Sequence, residues 1–235
     1  MLLLPLLACG SNSNSGCSTP TLPSGSEELG ILGWVYARTS YTYDADGNRL
    51  TAARDENANG TVDGVVNYTY GADGNLSTLE TDEGNDGTVD RRVTCTYDAD
   101  GLLLEVEFDF LADGTVDQRT TYTYDTDGRL YASESDYEAD GTADAGYRYY
   151  YDSAGNQTID EMDLDLNGSV DWRITRVYDA DGKLLTWESD SGADGTPDLR
   201  WTYRYDEAGN LLSVERDESA DGTVDSSTIY VYDCA

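Results

Sequence analysis

Acidic and amide side chains recur at fixed spacing around a glycine, the arrangement that wraps oxygen ligands about a hard divalent cation. Residues 55–63 and 163–171 place oxygen donors at alternate positions: Asp55, Asn57, Asn59, Thr61 and Asp63 in one, Asp163, Asp165, Asn167, Ser169 and Asp171 in the other. Gly60 and Gly168 stand at the sixth position, where the chain has to turn sharply. Five further copies keep the first, fifth and ninth positions acidic: Asp82, Asp86 and Asp90; Asp109, Asp113 and Asp117; Asp136, Asp140 and Asp144; Asp190, Asp194 and Asp198; Asp217, Asp221 and Asp225. The third position drifts through Gly84, Leu111, Glu138, Gly192 and Ser219. Asp-Gly is good turn chemistry in its own right. Turn chemistry alone, however, does not ask for Asp at the first and ninth positions of every loop while their neighbours vary.

These positions match the first nine of an EF-hand-type calcium loop and resemble the loops of thrombospondin type 3 repeats. The resemblance implies Ca2+ as the cofactor. The bidentate Glu of the twelfth position is missing, with Val66 and Ile174 in its place in the two fullest copies. Such sites are expected to be weak, on the order of the 10⁻⁴ to 10⁻³ M of extracellular modules.

Composition narrows the function classes. Asp and Glu number 47 against 14 Lys and Arg, a net charge of -33 that repels itself unless cations bind or screen it, and that excludes nucleic acid as a partner. Histidine is absent, so His-based triads and His-bearing zinc sites are excluded. Paired carboxylates of the glycosidase kind have no diagnostic value where every copy offers the same ones. The expectation is a protein that is not an enzyme.

The loops sit in an array. Tyr43, Tyr70, Tyr97, Tyr124, Tyr151, Tyr178, Tyr205 and Tyr232 are spaced 27 apart in number, each followed by Asp except Tyr70, which Gly71 follows. Before each Tyr-Asp the pattern alternates, as in Val93, Cys95 and Tyr97 against Arg92, Thr94 and Thr96, which predicts a half-buried strand. Asp98-Ala-Asp-Gly101 then suits a tight turn. A second strand follows, with Leu104 and Val106, Leu185 and Trp187, or Leu212 and Val214 on one face. A two-residue loop would set Arg92 opposite Glu107, Arg119 opposite Glu134, Arg173 opposite Glu188 and Arg200 opposite Glu215. A three-residue loop with a bulge at Gly would move these charges onto a diagonal. The fold class is therefore all-β: a repeat array of antiparallel hairpins, about fifteen strands in a meander that curls or spirals with its aromatic face inward. The tyrosine ladder is read as core. The alternative is a surface module that binds glycan or protein through exposed aromatics, Trp172, Trp187 and Trp201 among them.

Residues 122–130, Tyr-Thr-Tyr-Asp-Thr-Asp-Gly-Arg-Leu, and 203–211, Tyr-Arg-Tyr-Asp-Glu-Ala-Gly-Asn-Leu, resemble the YD repeats of Rhs proteins and teneurins. That resemblance covers residues 34–235 and implies hairpins that spiral into a shell. The unit here is longer by the Asp-Gly-Thr-Val-Asp loop, and surface display or adhesion is expected rather than enclosure of a cargo.

Residues 1–8 read as a shortened lipoprotein signal peptide. Leu6-Leu7-Ala8-Cys9 resembles a lipobox, which makes Cys9 the lipidation site, and residues 9–33 a flexible tether rich in Ser, Asn, Gly and Pro. Gly10 after the cysteine resembles the pattern of outer-membrane sorting. Cys95 occupies a slot that other copies fill with Tyr and is read as a small apolar core residue, while Cys17 and Cys234 flank the array. Together these features predict a lipid-anchored outer-membrane or cell-surface scaffold, held by calcium at its loops, with the membrane and a neighbouring surface protein or glycan as partners.

Overall fold

The computed structural model describes residues 25–29 and 35–232. The leader at 1–8, Cys9, Cys17, Cys234 and most of the 9–33 tether lie outside the described residues. Every regular element is a strand, and strand order follows chain order in one antiparallel meander. The chain divides into two compact units, one running to Thr121 and including Asp136–Gly141, the other comprising Tyr122–Ser135 and the chain from Thr142 onward.

In the first unit lie β1 (Gly25–Leu29), β2 (Val35–Tyr43), β3 (Arg49–Asp55), β4 (Gly64–Tyr70), β5 (Leu76–Glu83), β6 (Arg91–Tyr97) and β7 (Leu103–Asp109). β8 (Gln118–Tyr124) and β9 (Leu130–Asp136) have residues in both units. The second unit holds β10 (Ala145–Tyr151), β11 (Gln157–Asp163), β12 (Trp172–Tyr178), β13 (Leu184–Ser191), β14 (Leu199–Tyr205), β15 (Leu211–Asp217) and β16 (Ser226–Ile229). β1 falls inside the stretch read as tether and pairs with β2 from Gly25 opposite Ser40 to Leu29 opposite Val35.

The Tyr-Asp turns explain the hairpins. At Asp98 the backbone N–H donates to the Leu102 carbonyl at 2.9 Å, while the Gly101 N–H donates back to the Asp98 carbonyl at 3.2 Å. The Asp98 carboxylate accepts from the N–H groups of Asp100 (2.9 Å) and Leu102 (2.8 Å), fixing the turn from inside. Gly101 takes the left-handed conformation that closes it, at φ 83°. At Gly71, the one departure from Asp, Asp73 supplies the carboxylate instead by accepting from the Asn75 N–H at 3.1 Å.

Register differs from both expected pairings. Thr96 faces Glu105 but Tyr97 faces Leu103, so Leu104 is passed over as a bulge. The same slip recurs in the hairpins β2/β3, β4/β5, β10/β11, β12/β13 and β14/β15. Leu104 and Leu212 are consequently exposed, and Leu103 is the side chain buried with Val106. The arginines turn the other way as well. Arg92 faces Glu80 at 2.8 Å, Arg119 reaches Glu107 at 2.6 Å, Arg173 reaches Glu161 at 2.7 Å and Arg200 reaches Glu188 at 2.6 Å. Each pair spans the Asp-rich connection to the preceding strand, not the hairpin to the next, because directly opposite residues there are Glu and Arg. With about a third of each arginine side chain exposed, these pairs contribute little stability.

The core is thin and follows the inward slots: Leu76, Cys95, Leu103, Val106 and Tyr122 are buried. Burial pushes the Tyr122 hydroxyl up to about 12. Cys95 is also disulfide-bonded, which its reading as a small apolar residue did not include. The ladder tyrosines from Tyr43 to Tyr205 are half-buried, and the hydroxyls of several stitch neighbouring hairpins. Tyr70 donates to the carbonyl of Arg49 (2.9 Å), Tyr151 to Leu130 (2.8 Å), Tyr178 to Gln157 (3.0 Å) and Tyr205 to Leu184 (3.0 Å). At these positions the bond favours Tyr over Phe.

Candidate cation-binding loops

The Asp-rich segments connect the second strand of one hairpin to the first strand of the next. Their first aspartate ends a strand and turns inward. Asp55, Asp82, Asp109, Asp136, Asp190 and Asp217 are all buried, carboxylates enclosed by their own loop. In the first copy Asp55 accepts from the N–H groups of Asn59 (3.0 Å) and Gly60 (2.7 Å), one on each oxygen. Asp82, Asp109, Asp136, Asp190 and Asp217 repeat this with the fifth- and sixth-position amides of their own loops, including Asp140 N and Gly141 N.

The ninth position closes the loop from the other side. Asp63, Asp90, Asp117, Asp171, Asp198 and Asp225 each accept through Oδ2 from the N–H of the residue after the first aspartate, at 2.8, 2.5, 2.7, 2.7, 2.7 and 2.7 Å. Asp144 donates its backbone N–H to the Ser135 carbonyl at 2.7 Å. The fifth position caps the seventh: Asn59 accepts from Thr61, Asp86 from Thr88, Asp113 from Thr115, Asn167 from Ser169, Asp194 from Thr196 and Asp221 from Thr223, all at 2.8 Å. The Thr115 and Thr223 backbone N–H groups hold the carboxyls of Asp113 and Asp221 below the usual range.

The fourth and sixth residues of every loop have left-handed backbone, and in two loops Gly84 and Gly192 at the third position do as well. The sixth-position glycines lie between φ 88° and 93°, as the motif requires. The fourth position does so without glycine, at Ala58, Asn85, Ala112, Ala139, Leu166, Ala193 and Ala220, with φ between 48° and 53°. Outside the copy with Asn85, nothing in the sequence marks that second turn, because Ala and Leu do not favour it.

One loop differs from the rest. In residues 163–171 the Gly168 N–H still donates to Oδ2 of Asp163 at 3.0 Å, but the Asn167 N–H turns to Asp165 at 3.2 Å. Oδ1 of Asp163 is left buried with no hydrogen-bond partner. Asp163, Asp165 and Asp171 then bring one carboxylate oxygen each to within 4.8 Å of one another. No other trio of acidic side chains gathers this closely among the described residues. The third position is distinctive: Asp165 is an aspartate where the other loops carry Asn57, Gly84, Leu111, Glu138, Gly192 or Ser219. Three convergent carboxylate oxygens on a glycine turn suit calcium in kind.

A second cluster was invisible in the motif. Asp160 is buried and takes both guanidinium nitrogens of Arg176, at 2.9 and 2.8 Å, while the Gln157 amide donates to it as well. Comparing slots exposes it: 157, 160 and 176 are Gln, Asp and Arg where 211, 214 and 230 are Leu, Val and Tyr. Of the three tryptophans read as a possible binding surface, Trp172 is exposed, and all three have neighbours in the sheet. Trp172 donates to Oγ of Ser189 at 2.6 Å, Trp187 faces Trp201, and the Arg216 guanidinium lies 5.6 Å from the Trp201 ring.

Residues 173–224 match the RHS Repeat family model. No curated protein matches the chain. Among solved structures, the fold is similar to a TcdB2-TccC3-Cdc42 crystal structure, at TM-score 0.58 and 18% identity over 86% of this chain and 11% of that one. It is similar also to the Photorhabdus luminescens Tc holotoxin pore, at TM-score 0.58 and 21% identity over 83% of this chain and 10% of that one. The chain thus spans about a tenth of the length of those chains, and at such identity the likeness is one of fold. Residues 173–224 thus match an RHS repeat, and the β-hairpin meander around them shares its fold with parts of those longer chains.

Proposed function

We propose that this chain is a non-catalytic repeat scaffold, anchored by lipid at Cys9 on the outer membrane or cell surface, whose hairpin array is stabilised by calcium at its Asp-rich loops. The observation that carries the cation half is the loop 163–171, where Asp163 keeps a buried oxygen with no partner beside the carboxylates of Asp165 and Asp171. Leaving such an oxygen unsatisfied is costly, and a cation would satisfy it. Asp163, Asp165, Asn167 and Asp171 would hold the ion, and the Ser169 carbonyl lies at the position that supplies a backbone ligand in such loops. The remaining six loops are the weaker members, their first aspartates already committed to backbone amides, though each oxygen retains a second lone pair.

The charge of -33 supports the same reading, since each bound Ca2+ relieves repulsion along the array. The leader-like residues 1–8 and the disulfide at Cys95 support a location outside the cytoplasm. The scaffold role is supported by the RHS match and by a fold shared with parts of far longer assemblies. A neighbouring surface protein or glycan is the partner such a scaffold would present. Thermal melting with and without millimolar calcium tests the cation half: the melting temperature should rise with calcium and return with chelator. Labelling with a radioactive fatty acid tests the anchor, with incorporation expected in the native chain and lost in Cys9→Ala.

A further inference from the structure

We propose that a groove on the first unit binds an acidic saccharide unit, a pyranose ring bearing a carboxylate. This goes beyond the scaffold and needs no calcium. Hairpins build their inner face from three slots, filled by Leu103, Val106 and Tyr122 in one copy and by Leu211, Val214 and Tyr230 in another. The first hairpin departs at two of them. Arg49 stands in the slot held by Leu76, Leu103, Leu130, Leu184 and Leu211, and Ala52 in the slot held by Leu79, Val106, Trp187 and Val214. Beside the small Ala52 lies a groove of about 690 Å³ that Tyr41, Arg49 and Tyr68 also line.

Glu56, Asp63, Asp82 and Glu83 also line the groove, and Arg54 pairs with Glu56, but among the described residues no carboxylate forms an ion pair with Arg49. The Arg49 guanidinium lies 4.5 Å from the Tyr41 ring and 5.7 Å from the Tyr68 ring, and its Nε is buried without a hydrogen-bond partner. Its neighbours in charge and hydrogen bonding are the phenols of Tyr68 and Tyr43, not a carboxylate. The contrast with the strand pair β11/β12 is informative. There the inward Arg176 is answered by Asp160, and the slot that holds Asp160 is the one that holds Ala52 here. An arginine whose counter-ion slot is reduced to a methyl group leaves room for a carboxylate from outside.

Three features choose the ligand class. A guanidinium fork takes a carboxylate bidentately. The groove has the volume of a small-molecule site, well beyond a bare carboxylate ion, and its tyrosine rings offer apolar faces to the C–H face of a sugar. Asp63 and Asp82 border it with oxygens already oriented by the amides of Glu56, Asp86 and Gly87, and their spare lone pairs can accept sugar hydroxyls.

The test is ligand-observed NMR titration of D-glucuronate, with D-glucose as the uncharged control, into the full chain in the presence of chelator. Saturable glucuronate binding is expected, about tenfold or more tighter than glucose. Arg49→Leu and Ala52→Val install residues that other hairpins carry at these slots, so both should keep the native melting temperature while weakening glucuronate by about tenfold or more. Arg49→Lys, which keeps charge but not the fork, should weaken it as well. Absence of saturation in the native chain, equal affinity for glucose, or unchanged affinity in Arg49→Leu and Ala52→Val would each overturn the assignment. The calcium reading stands or falls separately, since chelator is present throughout.

Discussion

The hydroxyl of Tyr178 donates to the carbonyl of Gln157 at 3.0 Å, joining two positions 21 residues apart in sequence on adjacent hairpins. The same bond links Tyr205 to Leu184 and Tyr151 to Leu130, so in these copies the repeat tyrosine ties its unit to the one before it. Replacing Tyr178 by Phe keeps the ring and removes the donor, leaving the Gln157 carbonyl short of a partner. The expected loss is about 1 kcal/mol, read as a lower urea midpoint with an unchanged slope. An unchanged midpoint would mean that the ladder is held by ring packing alone.

Asp160 and Arg176 form an ion pair with side chains 9% and 19% exposed, within an otherwise apolar set of slots. Asp160→Ala should cost about 3 to 5 kcal/mol, because it strands a largely buried guanidinium. The combined change Gln157→Leu, Asp160→Val and Arg176→Tyr restores the residues of the last hairpin and should be neutral or stabilising. A triple variant no more stable than Asp160→Ala would contradict this account of the cluster.

Ala112 and Gly114 both have left-handed backbone, at φ 49° and 90°. Substitution should therefore have opposite signs two residues apart. Ala112→Gly relieves the Cβ and is expected to stabilise by up to about 1 kcal/mol, whereas Gly114→Ala should destabilise by about 1 kcal/mol or more. Thermal melts of the two variants check the signs.

Strand pattern, turn chemistry and the seven Asp-rich loops were legible in the sequence because each rests on local rules repeated copy after copy. Register was not. Leu103 and Leu104 are both apolar, so alternation cannot say which of them is passed over as the bulge. Arg92 lies 12 residues after Glu80 and 15 before Glu107, and only the observed pairing decides between the partners. The distinction of loop 163–171 was half visible: Asp165 marks it as one of the two fullest copies, but the unpartnered oxygen of Asp163 depends on where the Asn167 amide points.

Acid should loosen the hairpin turns. The Asn156 side chain, and then its backbone N–H, hold the Asp152 carboxyl below its ordinary 3.8, and Asn48 and Asn210 do the same for Asp44 and Asp206. A carboxyl with a lowered folded-state pKa contributes stability that is present above 3.8 and lost as pH falls through the lower folded value. Repulsion within a chain of net charge -33 eases over the same range, so the difference between variants is the informative quantity. Asp152→Asn should lower the melting temperature at neutral pH and narrow its gap to the native chain below 3.8. A gap independent of pH would remove the turn carboxylate from the explanation.

The central claim is that calcium occupies the loop where Asp163, Asp165 and Asp171 converge, and calorimetric titration of calcium into the full chain, native and Asp165→Asn, tests it most directly. The native chain should show saturable binding on the order of 10⁻⁴ to 10⁻³ M, with the tightest component lost in the variant while weaker binding at other loops persists. Identical isotherms for the two chains, or no saturable heat in either, would contradict it.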